Sequence, residues 1–201
     1  MELYVVRHGQ TDGNVNRVID GIREMPLNDI GRQQAIKAGD ILKDISFDMV
    51  ICSPLGRTKE TMQLITNNKY PVEYDNRIIE RDCGELVGKG YDEINFDKYW
   101  NYYDDTKYEK VESLQKLFER VFSFLDEIKE KYMGKKLLVV THGGVSKAIH
   151  CYFNGMPKDG CLNKVGLGNC EIVKYTLHGH MLVLSYSTPI SYCIFNYFTI
   201  T

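Results

Sequence analysis

The sequence predicts an α/β fold: a three-layer α/β/α sandwich around a mainly parallel, mixed central sheet. Three observations carry that expectation. Short β-branched apolar runs alternate with stretches of helical period along most of the 201 residues. The runs are apolar at consecutive positions, as strands buried on both faces are. Two of them end alike, in "VVRHG" at Val5 to Gly9 and "VVTHG" at Val139 to Gly143. Ligands of parallel sheets bind beyond the carboxyl ends of the strands, so both histidines are expected on one rim.

Leu3 to Val6 is the first buried strand, followed by a long polar loop. In "PLNDIGRQQAIKAGDIL", Asn28 is the expected N-cap of a helix. Its apolar face is marked by Ile30, Ala35, Ala38, Ile41, Leu42 and, just past it, Ile45. "FDMVICSP" reads as a strand ending at Ser53-Pro54, "LGRTKETMQLITNN" as a helix, and Val72 to Tyr74 as a short strand. Gly88 to Lys110 is rich in Tyr, Asp and Lys and fits neither period. It is expected to form a small cap or lid, at about 85–112, on a single domain spanning 1–201. From Ser113 to Met133 the spacing of Leu114, Leu117, Phe118, Val121, Phe122, Leu125 and Ile128 predicts an amphipathic helix. A strand at Leu137 to Thr141 and a helix from about Val145 to Phe153 follow. "CEIVKYTL" and "MLVLSYS" flank His178-Gly179-His180 as an expected hairpin, and "YCIFNYFTI" is an expected last strand.

Composition narrows the partners. A formal charge of -2 and a pI of about 6.2 give no field for a nucleic-acid backbone or an anionic membrane. No run approaches the roughly 18 apolar residues of a membrane span. Six scattered cysteines without a CxxC pair, and the absence of a secretion signal in "MELYVV", predict a reduced, cytoplasmic protein. Anion recognition therefore rests on a few placed cations. His150-Cys151 and His178-Gly-His180 lack the spacing of a zinc site, so no metal is expected. A histidine just past a strand reaches the crevice, and the glycine behind it lets a ligand approach the backbone closely.

"RHGQTDGN" resembles the phosphohistidine signature of the histidine phosphatase superfamily, the phosphoglycerate mutase-like proteins. The resemblance continues in family order through "PLNDIGRQQA", "CSPLGRTKET", "RIIERDCGELVG" and "VVTHGGV", from Val5 to Val145. It implies a phosphoglycerate mutase-like fold and a phosphomonoester hydrolase of the histidine acid phosphatase type. His8 would take a phosphoryl group onto a ring nitrogen. Arg7 and Arg57 would clamp the phosphate oxygens with paired donors. His142, as an imidazolium, would add a donor, and Asn14 another. Gln10 and Thr11 match the phosphate-site loop, Gly143 the backbone approach, and Glu80 the general acid. No cofactor is implied, since two arginines and a histidinium supply the charge that other enzymes take from Mg²⁺. The segment between Glu80 and His142 is shorter than in cofactor-dependent phosphoglycerate mutases, which favours a hydrolytic site open to water. A small phosphorylated metabolite is the expected partner of a monomer or homodimer. A mutase and a non-catalytic phosphate-binding module remain the alternatives. The family's aromatic before the glycine of the glutamate block is Cys83 here, which leaves the substrate open.

Overall fold

A computed structural model describes residues 1–104 and 108–177. The strands are β1 (Glu2–Arg7), β2 (Met49–Cys52), β3 (Val72–Tyr74), β4 (Lys136–Thr141) and β5 (Ile172–Thr176). The helices are α1 (Asp12–Val15), α2 (Asp29–Leu42), α3 (Gly56–Thr66), α4 (Phe96–Tyr99), α5 (Leu114–Lys131) and α6 (Gly143–Asn154). The sheet order is β3-β2-β4-β1-β5. All neighbours run parallel except β5, which is antiparallel to β1. This is the predicted mixed sheet. The hairpin around His178 to His180 and the strands in "MLVLSYS" and "YCIFNYFTI" lie outside the described residues.

Side-chain alternation along the strands builds the three layers. Leu3, Val5, Leu137 and Val139 face a core shared with α5 and α6. Tyr4, Val6, Leu138 and Val140 face the other way, onto α2 and α3. Both faces are dry, which is why these strands read as unbroken apolar runs.

Three expectations need correction. On α2, Ile30 and Ile41 are 55% and 40% exposed, and the buried stripe is Gly31, Ala35, Ala38 and Leu42. The small residues let α2 lie close to α3: a Cβ on Gly39 would sit 3.0 Å from the Ile65 carbonyl oxygen. A close helix pair needs only a narrow seam, so the isoleucines flank it. On α5, Phe124 is fully buried while Phe122 is half-buried. Phe124 lies seven residues after Leu117, on the same stripe, and Phe122 sits at its edge against Tyr152. The polar loop after His8 contains the one-turn helix α1. There the Thr11 hydroxyl accepts from the Asn14 N–H at 3.2 Å, and Asn14 Oδ1 accepts from the Thr11 N–H at 3.1 Å.

Phe124→Ala is expected to cost about 3–5 kcal/mol, and Phe122→Ala clearly less, because only the first leaves a sealed void. Urea unfolding of the two variants checks this.

Candidate active site

Three strand ends meet at one rim. In the β1–β4 register Arg7 stands opposite Thr141, so the next residue on each strand is a histidine. The His8 N–H donates to the Thr141 carbonyl at 2.9 Å, and the Ser53 N–H donates to the Val140 carbonyl at 3.0 Å. Ser53, His142 and His8 thus follow β2, β4 and β1 in spatial order. The two imidazoles meet edge to face with centroids 5.3 Å apart.

The environment sets their chemistry. His8 Nδ1 lies 2.8 Å from the Gly9 carbonyl oxygen, which can only accept, so Nδ1 carries the proton. Burial, then Arg7 and Arg57, push the His8 pKa well below its ordinary value. The ring is therefore neutral, with its lone pair on Nε2. Burial and the Arg57 cation likewise hold His142 well below the ordinary value. This corrects the expected imidazolium: beside His8 and the arginines, a buried positive ring has nothing to balance it. His142 Nε2 lies 2.7 Å from the Ser53 hydroxyl, and its buried Nδ1 has no protein partner among the described residues.

In front of the rim lies a cavity of about 230 Å³. Arg7, His8, Asn14, Arg57, Glu80 and Gly143 line it, so the structure brings six predicted residues together. Arg57 is buried, and its guanidinium donates to the carbonyls of Arg23 at 2.8 Å and Gly21 at 2.7 Å. Arg7 donates to the Leu167 carbonyl at 3.0 Å. Glu80 caps the start of α6: the Gly144 N–H donates to its carboxylate at 3.0 and 3.2 Å, and the Arg81 N–H at 2.9 Å. A Cβ on Gly144 would press on Glu80 Oε1 and the Trp100 ring, so glycine lets both side chains lie close to the start of α6. The α6 helix begins at Gly143, two residues before the expected start.

Gln10 and Thr11 do not line the cavity. Gln10 Oε1 accepts from the Asn28 side chain at 3.1 Å, and Thr11 is the N-cap of α1. His142 is fully buried, edge to face against His8, and is not among the residues lining the cavity. Sequence reasoning passed over other residues that do line it. Arg81 stacks on Tyr99 at 4.3 Å and donates to the carbonyls of Tyr99 and Glu112, each at 2.8 Å. Lys147 donates to the carbonyls of Leu162 at 2.5 Å and Val165 at 2.6 Å, and burial pulls its pKa down to about 8. Tyr91, Phe96, Tyr99 and Trp100 form an aromatic wall from the irregular segment. Lys147 was findable, as a lysine on the otherwise apolar helix behind "VVTHG"; the wall residues carried no periodic signal. Cys83 packs with its thiol 3.0 Å from the Tyr99 hydroxyl, and burial pushes its pKa up to about 12. Among the described residues no three His, Cys, Asp or Glu side chains gather as a metal site would require, and no helix is long and apolar enough to cross a membrane.

Comparison with known proteins agrees with this fold. The profile of the histidine phosphatase superfamily (branch 1) matches residues 3–187. PhoE, an uncharacterized phosphatase of Bacillus subtilis (strain 168), is 34% identical over 154 residues, covering 75% of this chain and 76% of its own. The YhfR structure from Bacillus stearothermophilus superposes with a TM-score of 0.81 at 28% identity, over 89% of this chain and 92% of that one. A mutant phosphoserine phosphatase from Entamoeba histolytica, in complex with phosphoserine, gives 0.81 at 25% identity, over 92% and 95%.

The depressed histidines set a pH dependence. Unfolded histidine takes up its proton near pH 6.5, whereas the buried rings stay neutral to lower pH. The unfolded state then binds more protons, so stability falls as pH drops through 6.5. Between pH 7.5 and 5.5 each ring should cost up to about 1.4 kcal/mol. Urea unfolding at both values should show a smaller pH dependence in the His8→Gln/His142→Gln variant than in the wild type; equal dependence would contradict the account.

Proposed function

Because the chain belongs to the histidine phosphatase superfamily, we propose that it hydrolyses small phosphate monoesters through a phosphohistidine on His8, without a metal ion. The observation that carries this reading is the state of His8. Its Nδ1–H is spent on the Gly9 carbonyl and its pKa is depressed, which leaves a neutral Nε2 nucleophile beside two guanidinium groups.

Nε2 attacks phosphorus, the N–P bond forms, and the ester P–O bond breaks. Glu80 delivers a proton to the leaving oxygen, and the alcohol departs. Of the two carboxylates lining the cavity, Asp20 is paired with Arg23 at 2.7 Å, which leaves Glu80 for proton transfer. Water then attacks phosphorus, the N–P bond breaks, and Glu80 takes the proton from water. Arg7, Arg57 and Asn14 hold the equatorial oxygens while their charge develops. With the Ser53 hydroxyl donating to Nε2, the neutral His142 offers Nδ1–H to the same phosphate. A phosphate dianion at that point would raise the pKa of both rings and favour charge on His142.

We favour a hydrolase over a mutase because the segment between Glu80 and His142 is shorter than in cofactor-dependent phosphoglycerate mutases, which leaves the site open to water. Tyr91, Phe96, Tyr99 and Trp100 serve as the roof over the leaving group. The substrate is a small phosphorylated metabolite, and the protein works in the cytoplasm as a monomer or homodimer.

A panel of monoesters including phosphoserine, α-ribazole phosphate, sugar phosphates and p-nitrophenyl phosphate, assayed in EDTA, tests this. Phosphate release is expected with undiminished rate in the chelator, together with an acid-labile, base-stable phosphoprotein that His8→Ala does not form. Arg57→Ala should lower kcat about 10²–10³-fold. Glu80→Gln should lose about 10²–10⁴-fold with alkyl phosphates and far less with p-nitrophenyl phosphate, whose leaving group needs no proton. Interconversion of 2- and 3-phosphoglycerate without phosphate release would instead make the protein a mutase. Normal turnover in His8→Ala would overturn the mechanism.

A further inference from the structure

A second asparagine, far from the histidine loop in sequence, is bonded into the back of the site. Asn169 Nδ2 donates to the His8 carbonyl at 3.0 Å and to Asn14 Oδ1 at 3.0 Å. Asn14 Oδ1 also accepts from the Thr11 N–H at 3.1 Å. The two ends of this chain are backbone groups whose roles are fixed. The Thr11 N–H can only donate, so the Asn14 atom facing it is the oxygen. The His8 carbonyl can only accept, so the Asn169 atom facing it is the nitrogen. Both amides are thereby oriented, and neither can turn over without setting like groups against each other. Asn14 lines the cavity with its oxygen already holding two bonds at the rear, which leaves its NH₂ as the group to offer forward.

We propose that Asn169 is a positioning residue: it locks the Asn14 amide with its NH₂ toward the phosphate and pins the backbone of the nucleophile His8. The inference rests on the proposed phosphate chemistry of the site. The neighbouring backbone supports it, since the Cys170 N–H donates to the Arg7 carbonyl at 3.0 Å and approaches the His8 carbonyl at 3.4 Å. The segment before β5 is therefore stitched to the end of β1 by both backbone and side chain. Without Asn169, Asn14 keeps only the Thr11 N–H to decide which way round its amide lies. An aspartate at 169 would present oxygen instead of nitrogen and draw the Asn14 NH₂ backwards, away from the phosphate.

Inorganic phosphate binding by calorimetry, beside kcat and KM for a turned-over monoester, tests this in a double-mutant cycle. A hydrogen bond to a charged partner is at stake, so Asn14→Ala should weaken phosphate binding about 10- to 100-fold. Asn169→Ala should weaken it less, and Asn169→Asp more than Asn169→Ala. In the Asn14→Ala background, Asn169→Ala should cost phosphate binding nothing further, because the amide it orients is gone, and should still lower kcat through the lost bond to the His8 carbonyl. Thermal melts of the same variants separate this from loss of fold, since a merely structural role would lower stability and weaken binding equally in both backgrounds. Equal cost of Asn169→Ala to phosphate binding with and without Asn14, or no cost in either, overturns the proposal. A wild-type protein that binds phosphate and obeys the cycle but releases none from any monoester would overturn the hydrolytic reading and leave the positioning role standing. Failure to bind phosphate at all would overturn both.

Discussion

The parallel pairing of β1 with β4 is the constraint on which the site depends. Its register sets Arg7 against Thr141, and the chemistry begins at the following residue on each strand. Both faces of each strand are dry, so the register is held from both sides. A slip of one residue would carry Leu3 and Val5 from the α5–α6 core to the α2–α3 core, with every volume mismatched. It would also part the two imidazoles that now touch. The site therefore costs no dedicated scaffold: the packing that gives the sheet one register also delivers both histidines to one place.

Burial then decides what those histidines are. Exposed, they would be half-charged at about pH 6.5. Enclosed, beside Arg7 and Arg57, they remain neutral, and on His8 the Gly9 carbonyl chooses which nitrogen is free. The cations are held outside this pair by backbone carbonyls rather than by carboxylates, as for Arg57 on Gly21 and Arg23. A carbonyl anchors a guanidinium without neutralising it, so the charge stays available to a phosphate. A protein with a net charge of -2 can in this way line its cavity with four cations against two carboxylates.

Much of this was legible because it is written in local patterns. Apolar runs and helical spacing gave the layers, and the His-Gly endings gave the rim. Arg57 and Glu80 became visible through the resemblance of whole blocks, since neither a helix-start arginine nor a charged turn says anything alone. What stayed hidden is what depends on long-range contact. Whether His142 is charged depends on its surroundings in three dimensions, and Ser53 looked like a strand end because its partner lies 89 residues away. Asn169 sits 155 residues from Asn14, in a loop without period. On α2, the choice between Ile30 and Ala38 for the interior was made by the closeness of α3, which no single-helix pattern contains.

The stitching of the segment at 168–170 to the end of β1 has a bearing on how the protein acquires its activity. His8, the proposed nucleophile, has its carbonyl held by side-chain and backbone donors that lie some 160 residues further along the chain. A chain that has already paired β1, β2 and β4 owns both histidines but not the brace behind them. With β4 in place, only the stretch from Thr141 to Asn169 is left to close. A chain paired only that far carries a histidine loop that is assembled but not yet held.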